Sequence, residues 1–288
     1  MVPTLRRLLW RVTRGRHRIV SSVLCMAQND PLALQVSFLF IHTIVRPDMF
    51  ARYGESDPSS SKLFGISLYQ QKIIELRPTG RQPFDARTLF RAAPLADPST
   101  PYLSQIPCSW GALYFPSPWR EFHDYLALRL SQSVLPISRT IVPGVRSNKW
   151  TRSWKKYFIE LAYLRGYVML YPNYDDFVSL STNHLEVGSH VRDDPGEAYE
   201  KKKHLFSLPL MRLEGALADA GHGPRLLDLP GEALPDWDRL PVLDLVGEVS
   251  SMEAIQRRGD ERRTELDACV GVASLPSSVR DLLCHVPL

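Results

Sequence analysis

The stretch "CSWGALYFPSPWREFHDYLALRL", residues 108–130, sets the fold class. An apolar strand, Trp110 to Phe115, stops at Pro116. Ser117 can cap a helix whose first residue is Pro118, a position where the missing N–H leaves nothing unsatisfied. Trp119, Phe122, Leu126 and Leu130 recur at helical spacing and predict its buried stripe. Strand, turn, helix is the repeating unit of an α/β layer, so that class is expected here.

A second unit runs in the opposite order. Asn148 can cap "KWTRSWKKYFIELAYLR", with Trp150, Trp154, Tyr157, Phe158, Leu161 and Leu164 on one face and Arg152, Lys155, Lys156 and Glu160 expected in water. Gly166 sits where a left-handed residue ends a helix, and "YVMLYPN" (167–173) reads as a strand closed by Pro172. "LFGISLY" (63–69) is a buried strand by composition. Residues 77–107 carry many prolines and predict a long loop. Residues 192–203 form a charged excursion, 214–241 an extended wrap, and 250–288 a tail with short helices at most.

The chain has 288 residues and 44% hydrophobic content, enough for a sizeable core. Its net charge of +4 comes from the amino terminus, where six arginines precede the first acidic residue, Asp30. The remainder is nearly balanced, and no nucleic-acid partner is expected of such a surface. Cys25, Cys108, Cys269 and Cys284 are too scattered for a zinc ribbon or a dense disulfide framework. The longest apolar run, residues 32–45, is too short and too polar to span a bilayer. Three parts are expected: a basic segment 1–30, an α/β domain 31–250 and a tail 251–288. The first resembles a targeting peptide, an exposed basic helix, or a start inside a longer parent.

"STNHLEVGSHV" (181–191) holds the densest chemistry. On a strand, His184 and Glu186 share a face. Two imidazoles and a carboxylate can hold a divalent ion or move a proton, and a polar turn with backbone-bonded histidines fits equally. Asp175 and Asp176, after a strand, are metal–diphosphate candidates or ordinary turn residues. Arg146 and Lys149 begin a basic cluster that can contact phosphate or stay solvated, and Trp110 can stack on a sugar ring or join the core.

"KLFGISLYQQKIIEL" (62–76), "PCSWGALYFPSPWREFHDYL" (107–126), the run 146–191 and "DWDRLPVLDLVGEV" (236–249) resemble consecutive blocks of a fungal family similar to GT-A type nucleotide-sugar glycosyltransferases. The resemblance covers roughly residues 60–250. It implies a mostly parallel sheet flanked by helices, a nucleotide-sugar donor, a carbohydrate or protein acceptor, and a location in the secretory pathway. It further implies Mn²⁺ or Mg²⁺ near His184 or His190, with Glu186, Asp175 or Asp176 as base. Arg146, Lys149 and Trp110 would then face the donor. An acidic motif is expected just before a segment like "LQVSFLF". Here "AQNDPLA" offers only Asp30, so the donor half is expected to be incomplete and the activity lost or reduced. A non-catalytic carbohydrate-binding protein of the same fold and a metal-dependent hydrolase built on His184, Glu186 and His190 are the other readings.

Overall fold

The strand Leu63–Ser67 (β1) is buried along its whole length, as a central strand must be. In the computed structural model, which describes residues 62–130, 140–182, 207–211 and 229–266 except 152 and 233, together with 200, 282 and 283, β1 lies inside a six-stranded sheet. The other strands of that sheet are β4 (Tyr102–Ser104), β5 (Ala112–Tyr114), β6 (Val168–Tyr171), β7 (Val242–Leu243) and β8 (Val249–Ser250). The short strands β2 (Ile73–Ile74) and β3 (Gln82–Pro83) pair with each other in a separate ladder. The helices among the described residues include α1 (Ala86–Ala92), α2 (Pro116–Leu130), α3 (Lys155–Arg165) and α4 (Met252–Glu265).

The α/β class holds, but the sheet is mixed rather than mostly parallel. Its order is β5-β1-β6-β4-β7-β8. Only β1/β6 and β4/β7 are parallel, while β1/β5, β4/β6 and β7/β8 are antiparallel. Connection length explains part of this. A parallel crossover needs a dozen or more residues, and the link from β7 to β8 is a tight turn. There the Asp244 carboxylate accepts from the backbone N–H of Val246 and Glu248 at 2.9 and 3.0 Å.

Side chains alternate across the sheet as the pleat requires. Met169 and Tyr171 face one core with Tyr102 and Tyr114, packed against Phe122 and Tyr125 of α2 and Phe158 of α3. Val168 and Leu170 face a second core with Leu103, Leu113, Leu180 and Met211. A sheet buried on both faces needs apolar residues at consecutive positions, which is why "VML" in β6 reads as a run. α3 ends at Gly166 with φ 66°, as its position in the sequence predicts. α4, in the segment read as a tail, packs along α3 and buries Ile255 against the second core.

Several local readings change. α2 begins at Pro116, and its buried stripe is Phe122, Tyr125 and Leu128, leaving Leu130 at 59% exposure. α3 starts at Lys155, because residues 146–149 form a 3-10 turn in which the Asn148 side-chain amide donates to the Val142 carbonyl at 2.7 Å instead of capping α3. Trp154, expected in the core, is 37% exposed, whereas Lys155 and Glu160, expected in water, are buried. Residues 77–107 are not one loop, since they hold β3, α1 and β4. Asp85 caps α1 by accepting from the Arg87 N–H at 3.0 Å. Among the described residues, no helix is long and apolar enough to cross a membrane.

Candidate functional site

β1 and β6 run parallel, so their carboxyl ends lie side by side. In open α/β sheets this is where ligands bind, because the chain must turn away there and leave a crevice. A shallow cleft with an enclosed volume of about 20 Å³, room for about one water molecule, opens at this place. It is lined by Tyr69, Gln71 and Glu75 after β1, by Cys108, Ser109 and Trp110 before β5, by Lys155 at the start of α3 and by Tyr171 ending β6.

The wall is aromatic with a charged pair set into it. Tyr69 meets Trp110 edge to face at 5.1 Å. The Lys155 ammonium donates to the Glu75 carboxylate and lies 5.3 Å from the centre of the Trp110 ring. Both charged side chains are only 10% exposed. A pair removed from water in this way is stable only while both members remain. The Tyr102 hydroxyl donates to Gln71 Oε1 at 3.3 Å. Burial pushes the Cys108 thiol above its ordinary pKa, so it is a protonated wall residue rather than a nucleophile at neutral pH.

The Trp110 loop is tied to the segment that leads into "STNHLEVGSHV". The Leu68 carbonyl, just past β1, accepts from the backbone N–H of Leu180 and Ser181, both at 3.1 Å, and from the Ser179 hydroxyl at 3.0 Å. The Ser181 hydroxyl donates to the Trp110 carbonyl at 3.4 Å. Gly111 makes the approach achievable. Its φ is +131°, and a Cβ there would stand 2.4 Å from Ser181 Oγ. The chain returns to the same place, where Leu208 N–H donates to the Thr182 hydroxyl at 2.8 Å and Ser179 bridges Leu210.

The predicted site residues therefore separate. Trp110 lines the cleft. Arg146 is half-buried and Lys149 exposed on the 3-10 turn before α3. Asp175 and Asp176 sit exposed in the turn after β6, with Asp175 3.4 Å from the Arg87 guanidinium. That turn is held by Gln70, whose amide donates to the Tyr174 carbonyl at 2.8 Å and accepts from the Tyr174 N–H at 2.7 Å. His184, Glu186 and His190 lie outside the described residues. Among the described residues no three His, Cys, Asp or Glu side chains converge as a metal site. The sequence reading missed Glu75, Lys155, Tyr69 and Gln71. The signal available for them was "YQQKIIEL", where polar residues directly follow a buried strand.

Residues 83–135 match the model of a family described as the SPBC1E8.03c C-terminal domain. That segment runs from the end of β3 through α2 and contains Cys108, Ser109 and Trp110 of the cleft. No curated protein and no solved structure matches the chain.

Proposed function

We propose that the chain is a GT-A-like glycosyltransferase domain whose cleft at the carboxyl ends of β1 and β6 receives a sugar ring against Trp110. The observation that carries this reading is the junction at Leu68. It joins the aromatic loop 108–111 to the stretch entering "STNHLEVGSHV", two stretches within the blocks that carry the resemblance. In this proposal a sugar passes from a nucleotide-sugar donor to an acceptor hydroxyl, in a protein of the secretory pathway. Glu186, Asp175 or Asp176 takes the acceptor proton, and Arg146 and Lys149 face the donor phosphates. His184 or His190 would approach a Mn²⁺ or Mg²⁺ ion, which would stabilise the departing diphosphate.

One observation favours the non-catalytic form of the same reading. Glu75, the carboxylate lining the cleft, is engaged by Lys155 and so is a poor base. Calorimetry with neutral monosaccharides and with nucleotide sugars plus Mn²⁺ tests the shared claim. Binding at millimolar ligand is expected, weakened about tenfold in Trp110→Ala, the loss of one stacking contact worth ~1.4 kcal/mol. No binding at that concentration would overturn it. A transferred product, read by mass spectrometry, separates enzyme from binding protein.

A further inference from the structure

The chain alternates as it leaves β1. Of "YQQKIIE" (69–75), every second residue lines the cleft, Tyr69, Gln71, Ile73 and Glu75, as the period of extended chain requires. Gln71 and Glu75 are thereby turned toward one enclosed volume, and Lys155 meets them there from α3. Their hydrogen bonding is incomplete. Gln71 is 6% exposed and its oxygen accepts from the Tyr102 hydroxyl, but among the described residues its amide nitrogen donates to nothing. The Lys155 ammonium donates once, to Glu75, whose carboxylate takes no second hydrogen bond among the described residues. A buried donor left without an acceptor is destabilising, so these groups point to a partner that the fold itself does not supply.

The space sets the size of that partner. About 20 Å³ is enclosed between these side chains, room for a single water-sized group. The groups themselves set its chemistry. Gln71 and Lys155 donate and Glu75 accepts, so the partner must both accept and donate, as a hydroxyl does. A carboxylate or phosphate ion has no proton for Glu75 and meets it as a like charge, while an ammonium accepts nothing from Gln71 or Lys155. We propose that the floor of the cleft is a subsite for one hydroxyl of a neutral sugar, held by Gln71, Lys155 and Glu75, while the ring stays outside against the half-buried Trp110. This rests on the sugar-binding reading above and adds the ligand's charge class and the group that is recognised. In the free protein one water should take the place of that hydroxyl, since it offers the same hydrogen bonds.

The test uses the full chain, titrated by calorimetry with glucose, galactose and mannose, then with the monodeoxy forms of whichever binds tightest. A site built around one hydroxyl leaves buried groups unpaired when that hydroxyl is missing. One deoxy form should therefore bind about tenfold or more weakly than its parent, and the others within about twofold of it. Gln71→Met should weaken the parent sugar about fivefold and leave that one deoxy form unchanged, whereas a general loss of packing weakens both alike. Because Gln71→Met also removes the acceptor of the Tyr102 hydroxyl, Glu75→Gln/Lys155→Met, in which no charge is left unpaired, serves as a second variant and should narrow the same difference. If a sugar binds and every deoxy form binds equally well, the hydroxyl subsite is overturned and the sugar reading stands. If no sugar binds, the sugar reading falls and a crystal structure of the free chain decides the subsite. One ordered water bonded to Gln71, Lys155 and Glu75 then supports a hydroxyl subsite for a ligand other than a sugar, and no water there overturns it.

Discussion

Glu160 and Glu75 are both buried carboxylates paired with a cation, and both pairs involve α3, yet their surroundings differ. Glu160 lies between α2 and α3. It accepts from the Tyr125 hydroxyl at 2.9 Å and from the Arg129 guanidinium at 2.8 and 3.3 Å, so both of its oxygens are engaged within the protein. Glu75 meets Lys155 at the wall of a cleft that opens to solvent, with an indole face rather than a second hydrogen-bond acceptor beside the ammonium. A fully engaged carboxylate has nothing left to offer a ligand. One left partly open beside a crevice does, and this difference separates a structural ion pair from a binding one.

The largest effect should come from breaking the engaged pair. Glu160→Ala leaves Arg129 and the Tyr125 hydroxyl without their acceptor, and about 3–5 kcal/mol of stability should be lost in guanidinium denaturation, with sugar binding by the residual folded protein unchanged. Lys155→Met strands Glu75 where water can partly reach it, so a loss of about 2 kcal/mol is expected, less than the full burial penalty. Most of it should return in the Glu75→Gln/Lys155→Met double variant. Should Glu160→Ala change sugar binding as much as Lys155→Met does, the distinction between the two pairs fails.

These two pairs also show how much of the molecule its sequence announced. β1, β6 and the Gly166 end of α3 were legible because burial on both faces and a left-handed cap leave local marks. The wet assignment of Lys155 and Glu160 failed because their partners, Glu75 and Arg129, come from distant segments and no helical period encodes them. Residues 77–107 were misread for a different reason. α1 has seven residues and β4 three, too few periods for any pattern to show. Trp110 was legible as a stacking candidate. The cleft around it was assembled by sheet pairing, which crosses the chain and leaves no motif.

Tyr125 supplies a pH test of the engaged region. Its burial, reinforced by the Glu160 charge, raises its pKa well above the ordinary value. The unfolded chain then releases the phenol proton first as pH passes about 10, so the folded state holds more protons and stability falls with rising pH. The contribution is complete below that pH and disappears above it, at about 1.4 kcal/mol per pH unit for this one group. Tyr125→Phe should flatten the alkaline slope by that amount. Tyr102 and Tyr171, raised by burial, keep part of the slope in the variant. An unchanged slope would mean that water reaches the α2–α3 contact.

The smallest effect belongs to the turn after β6. Asp176 and Phe177 both hold positive φ, 50° and 55°, and neither is glycine. Strain of this kind persists only where surrounding contacts impose it, and it gathers at functional sites. Here the contacts are visible, with Gln70 clamping Tyr174 and the Lys72 ammonium over the Phe177 ring at 5.5 Å. Asp176 is exposed, so nothing but its backbone angle sets its cost. Glycine relieves that angle, and Asp176→Gly should raise stability by about 0.5 kcal/mol, modest because aspartate tolerates the left-handed region better than most residues. Sugar binding should stay the same. If transfer is observed in the parent chain and disappears in Asp176→Gly while binding persists, the carboxylate acts on the acceptor, and the strain serves to aim it. If transfer persists, the turn is held for the sake of Tyr174 and the strand end, and the base is to be sought at Glu186.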